Sequence, residues 1–103
     1  MRPAQPAKVL RIHVAESDRA GGAPLYEAIV AKFRELKIAG ASVFVGLEGF
    51  GEAQLVSKDK PLLITVVDTP ENIDRLIPVV AEMMDTGLMS VSNAQMTRVE
   101  ATT

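Results

Sequence analysis

Hydrophobic periodicity switches along this chain between two and about 3.6 residues, and the order of the switches leaves few folds open. In KVLRIHVAE (8–16), Leu10, Ile12 and Val14 alternate with Val9, Arg11 and His13, which reads as a strand. SDRAGGAP (17–24) is loop chemistry, and Pro24 suits the first turn of a helix. Leu25, Ile29, Phe33 and Leu36 then fall at helical spacing, with Gly40 where a helix would end. ASVFVGL (41–47) and PLLITVVD (61–68) are β-branched and apolar on both faces, the pattern of strands covered twice. Thr69 is a good N-cap and Pro70 a good first helical residue. Ile73, Leu76, Ile77, Val80 and Met84 continue that helix as a stripe, with Pro78 inside it as an expected kink. DTG (85–87) stops it, and LMSVSNAQMTRVE (88–100) reads as a last strand.

The order is β-α-β-β-α-β, which predicts an α+β, ferredoxin-like sandwich: a four-stranded antiparallel sheet with two helices on one face. Residues 1–7 read as a flexible tail, 8–100 as one domain and 101–103 as a second tail. At 103 residues a chain buries roughly 65% of its unfolded surface, enough for one core. Two helices leave one sheet face bare, and Val45, Leu63, Thr65 and Val67 suggest that it is not wet. A face that apolar predicts an oligomer.

Several chemistries are excluded or disfavoured by composition. There is no cysteine, which rules out disulfides, thiolate metal sites and a thiol nucleophile. A net charge of −2 gives no basic field for nucleic acid, and the few aromatics, with no Trp, offer no stacking platform. No apolar run reaches the roughly 20 residues of a spanning helix, and MRPAQPAK has no signal-peptide core, so a cytoplasmic protein is expected.

The candidate site begins at GLEGFGEAQ (46–54). Its glycines can expose backbone amides as an anion nest, or serve a bend at a strand end. No helix follows to complete a phosphate site. His13, the single histidine, shares a face with Arg11 and reads as an interface residue rather than a metal ligand. Glu48 and Glu52 read as solvated loop charges. Met83, Met84, Met89 and Met96 read as core or interface filling.

The stretches VAESDRAGGAPLYEAIVAKFRELKIAGASV, GFG and VVDTPENIDRLIPVVAEMM closely resemble the small PII-like proteins catalogued as a domain of unknown function. More distantly, KIAGASVFVGLEGFG is similar to a segment of the PII signalling proteins. The resemblance implies a trimer that binds nucleotides between subunits, signals to a protein target and is no enzyme. Carried over position by position, it points to Ser42, to Gly49, Phe50 and Gly51, and to Thr86 and Gly87 as ligand residues. Where the PII pattern offers cations, this chain has Glu52 and Leu88, and Arg98 is the cation that could compensate from the last strand. Only a short stretch separates Gly51 from Pro61, too short for the projecting PII recognition loop. The expected function is therefore a homotrimeric regulatory protein with a small ligand, such as an adenine nucleotide, an unidentified protein target and no cofactor. ATP itself is expected to bind weakly. An acylphosphatase-type enzyme using Arg19, and an assembly module without ligand, are the alternatives.

Overall fold

A computed structural model describes residues 2–47 and 59–100. Strand β1 (Gln5–Ala15) leads through two short paired strands, β2 (Arg19–Ala20) and β3 (Ala23–Pro24), into helix α1 (Leu25–Glu35). Strands β4 (Ser42–Val45) and β5 (Pro61–Asp68), helix α2 (Pro70–Met83) and strand β6 (Leu88–Met96) follow. The main sheet has the order β4-β5-β1-β6, antiparallel throughout, so the two longest ladders flank β1. This is the ferredoxin-like arrangement that the periodicity predicts, with both helices on one face.

Leu10, Ile12 and Val14 of β1 and Leu62, Ile64 and Val66 of β5 supply the sheet side of the core. Leu25, Ile29 and Phe33 of α1 and Ile73, Leu76 and Val80 of α2 close over them. Helix α2 starts as the sequence predicts: the Thr69 hydroxyl accepts the Asn72 amide at 3.2 Å, and Pro70 follows at the first turn. Asp68, buried at 3% exposure, steadies that start by accepting the Thr69 amide at 2.7 Å and the Asn72 side-chain amide at 2.9 Å. The helix runs on through Pro78, which lies on its exposed face, where the carbonyl that Pro78 leaves free costs least.

Four boundaries differ from the sequence reading, each for a tertiary or local reason. Strand β1 opens at Gln5, inside the stretch read as a tail, because Gln5, Pro6 and Ala7 pair with Met96, Gln95 and Ala94. There β1 has a neighbour on one side only, which is where a strand tolerates proline. Pro24 is the N-cap of α1 rather than its first helical residue. The same helix ends at Glu35, well before Gly40: Lys37 takes a left-handed φ of 61°, the Ile38 amide donates to the Phe33 carbonyl at 2.9 Å, and the Lys37 amide to Arg34 at 3.1 Å. This is a Schellman stop with lysine where glycine is usual. Finally β6 ends at Met96, so Arg98 lies beyond the strand and not on it.

The register also corrects one face. Val45 stands opposite Leu62 and so points to the helix side of the edge strand, not to the bare face. Two transverse rows cross all four strands of the bare face: Phe44, Leu63, His13 and Leu88, then Ser42, Thr65, Arg11 and Ser90; Val67, Val9 and Ser92 form the next, three-strand row. Phe44 and Leu88 are exposed by more than half and Val67 by 45%, so the apolar character expected of this face comes from the first row and from Val67.

Candidate functional site

One end of the sheet gathers most of the site chemistry. There β4 runs out at Val45, β5 begins at Pro61, and the turn after α2 delivers Thr86 and Gly87 to the start of β6. The Gly46 amide donates to the Pro61 carbonyl at 2.8 Å, closing the base of the connection between β4 and β5. At its far side Asp59 accepts both the Ser17 amide, at 3.0 Å, and the Ser17 hydroxyl. The loop after β1 is thereby fixed to the same end: the Glu16 amide donates to Lys60, the Ala15 amide to the Asp18 carboxylate at 2.9 Å, and the Asp18 amide to Ala15.

Gly87 is a required glycine. Its φ is 135°, and a Cβ there would meet the side chain of Met84 and the carbonyl oxygen of His13. Thr86 borders two depressions. One, of about 200 Å³, is lined by Ala81, Met84, Asp85, Gly87 and Met89 as well. The other, of about 50 Å³, adds Asp18, Arg19, Leu25 and Asp85. Leu88 supplies no charge at this turn, but Arg19 does, carried there by the short β2–β3 hairpin. Sequence reasoning weighed Arg19 only for an acylphosphatase-type loop and missed this placement, because nothing local in SDRAGGAP reports the distance to Thr86.

Among the described residues, those singled out from the sequence do not meet within one chain. Gly49, Phe50, Gly51 and Glu52 lie outside the described residues. Thr86 and Gly87 precede β6, on one edge of the sheet, whereas Gly46 follows β4 on the opposite edge. Three strand spacings separate those edges, about 14 Å. Ser42 opens β4, opposite Thr65 on the bare face. Arg98 lies past the far end of β6, a strand that by itself spans about 26 Å, with its carbonyl accepting the Arg2 amide at 3.3 Å.

A further groove, of about 400 Å³, runs between α1 and the edge strand and is lined by Tyr26, Glu27, Val30, Ala31, Arg34 and Val43. The Tyr26 hydroxyl faces Glu27 at 3.3 Å, and the negative charge of Glu27 raises the phenol pKa above its usual value. Among the described residues no group of three His, Asp or Glu side chains could hold a metal, and no helix is long and apolar enough to cross a membrane.

Known proteins share this frame. A UPF0166 protein of Methanocaldococcus jannaschii is 30% identical over 95 residues, covering 84% of this chain and 88% of that protein. A UPF0166 protein of Aquifex aeolicus is 28% identical over 78 residues, covering 68% of this chain and 74% of its own. Among solved structures, CPII of Thiomonas intermedia K12 bound to ADP, AMP and acetate superposes with a TM-score of 0.67 at 16% identity, over 94% of both chains. The same protein bound to ADP and bicarbonate gives 0.65 at 17% identity, over 93% of both. These two establish a common PII-like fold. The model of DUF190, described as an uncharacterized ACR, matches residues 7–96, and the chain belongs to that family.

Proposed function

We propose that this chain is a PII-like regulatory protein that binds an adenine nucleotide in clefts between subunits of a homotrimer and signals its occupancy to a protein target. The observation that carries this reading is the split of the candidate residues between two sheet edges. The turn at Thr86 and Gly87 and the chain leaving Gly46 stand at one end of the sheet but about 14 Å apart, so one small ligand reaches both only where a second copy brings its edge alongside. The nucleotides held by the similarly folded CPII support the ligand class.

Charge sets the preference within that class. Arg19 is the cation that shares a depression with Thr86, and Asp18 and Asp85 line the same depression. One cation against two carboxylates suits a monophosphate or diphosphate better than a triphosphate, whose desolvation needs several charged donors. An acylphosphatase-type cradle draws no support, since the Glu16, Ser17 and Asp18 amides after β1 already donate to protein acceptors.

Light scattering and calorimetry test the reading together. The expected result is about three chain masses, with AMP or ADP binding near one per chain and ATP more weakly. A monomer at micromolar concentration, or no heat with any of the three, would remove it.

A further inference from the structure

The bare sheet face has an unusual charge inventory. Its described strand positions are Ser42 and Phe44 of β4, Leu63, Thr65 and Val67 of β5, the odd-numbered residues of β1, and the even-numbered residues of β6. They include two cationic or titratable groups, Arg11 and His13, and no carboxylate. Arg11 sits at the centre, half-buried, with Thr65 opposite it on β5 and Ser90 opposite it on β6. Its guanidinium donates to the Ser92 hydroxyl at 3.1 Å, and Ser92 is its one side-chain partner among the described residues. A guanidinium has five N–H donors, so most of this fork is left for another acceptor.

In the trimer reading, on which this inference rests, the bare face is the surface that packs on other copies. Any copy presenting the same face brings hydroxyls, apolar side chains and further cations to Arg11, and none of the described positions brings a carboxylate. A charge taken out of water without a counter-charge is strongly disfavoured, and like charges brought together add to the penalty. Neutral hydroxyls satisfy donors but do not neutralise the charge.

We infer that the assembled protein holds an inorganic or carboxylate oxyanion on this face, between copies, with the Arg11 guanidinium as its principal ligand and the Ser92, Ser90 and Thr65 hydroxyls around it. Oxyanions that present two oxygens side by side, whether carboxylate, phosphate or sulfate, match the arginine fork, whereas chloride does not. The anion is structural: it binds the assembled state and so drives assembly by mass action.

The test is a dilution series followed by light scattering, on the full chain in sodium sulfate, sodium phosphate, sodium acetate or sodium chloride at matched ionic strength. With one anion per trimer at about ten times its dissociation constant, sulfate or phosphate should stabilise the trimer about elevenfold relative to chloride. Half-dissociation of a trimer varies as the square root of its dissociation constant, so the concentration of half-dissociation should fall about threefold relative to chloride. Acetate giving the same shift would identify a carboxylate as a competent occupant. Arg11→Met keeps the apolar stem and removes the charge; it should assemble equally well in all four salts. Ser92→Ala should retain the anion effect at reduced size, and melting curves on both variants establish that they fold. A native trimer indifferent to the salt overturns the anion while leaving the trimer reading intact, and so does an Arg11→Met protein that keeps the sulfate effect. A native chain that stays monomeric in every salt overturns both.

Discussion

A Cβ placed on Gly87 would lie 2.8 Å from the carbonyl oxygen of His13, so the turn that delivers Thr86 packs directly on the backbone of the central strand. With φ at 135°, Gly87 also occupies a region that side chains rarely enter. Gly87→Ala should therefore cost at least about 1–3 kcal/mol of stability, measured by urea unfolding, the usual range for one strained backbone residue. Nucleotide binding should weaken with it. A loss under about 0.5 kcal/mol would mean that the turn rearranges freely.

Lys37 invites the opposite change. It holds a left-handed conformation at the end of α1, and its backbone bonds do not depend on its side chain. Lys37→Gly should stabilise the protein by about 0.5–1 kcal/mol, since the relief of left-handed strain exceeds the added freedom of the unfolded chain. Thermal unfolding reads this directly, and a lower melting temperature contradicts it.

Phe33 lies at 2% exposure between the two helices and the sheet. Phe33→Ala should cost roughly 3–5 kcal/mol. Equilibrium unfolding that shows less than about 1 kcal/mol would mean that the core collapses around the missing ring.

Asp68 is the buried acid among the described residues, and one of its oxygens takes two hydrogen bonds at the start of α2. Asp68→Ala leaves those donors without their acceptor and should cost about 1–3 kcal/mol. Asp68→Asn retains an acceptor oxygen and should recover part of the loss; equal losses in the two variants would show that charge, not hydrogen bonding, sets the cost.

Glu52 tests the ligand reading from the sequence side. The PII pattern has a cation at this position, and a like charge about 4 Å from a phosphate costs on the order of 4 kcal/mol near a protein surface. Glu52→Arg should tighten ATP binding from the high-micromolar range or weaker. Calorimetry showing tight ATP binding by the native chain, or no gain in the variant, would refute this.

What the sequence made legible was whatever local chemistry decides. Thr69 and Pro70 mark the start of α2, and Pro61 marks the start of β5, because a cap and a missing N–H act on their own neighbours. The end of α1 was illegible since Lys37 does a glycine's work, while Gly40 offered a false stop. The side on which Val45 points could not be read from a strand apolar on both faces; its pairing with Leu62 fixes it. Likewise Pro6 looks like tail until β6, far along the chain, pairs with it. Of the candidate site, Ser42, Thr86 and Gly87 are expectations of the PII resemblance, not of any local pattern. Their separation across the sheet, and the approach of Arg19 to Thr86, are consequences of strand order and lay beyond any local pattern.

The two ties at the sheet end, Gly46 to Pro61 and Ser17 to Asp59, have an engineering consequence. They fix where the chain departs from β4 and where it returns to β5, without reference to how many residues lie between. Doubling the length of a connection costs only about 0.6 kcal/mol of closure entropy. Foreign sequence grafted between Leu47 and Asp59 should therefore leave the melting temperature nearly unchanged, making this scaffold a display platform whose cargo can be exchanged while its frame stays the same.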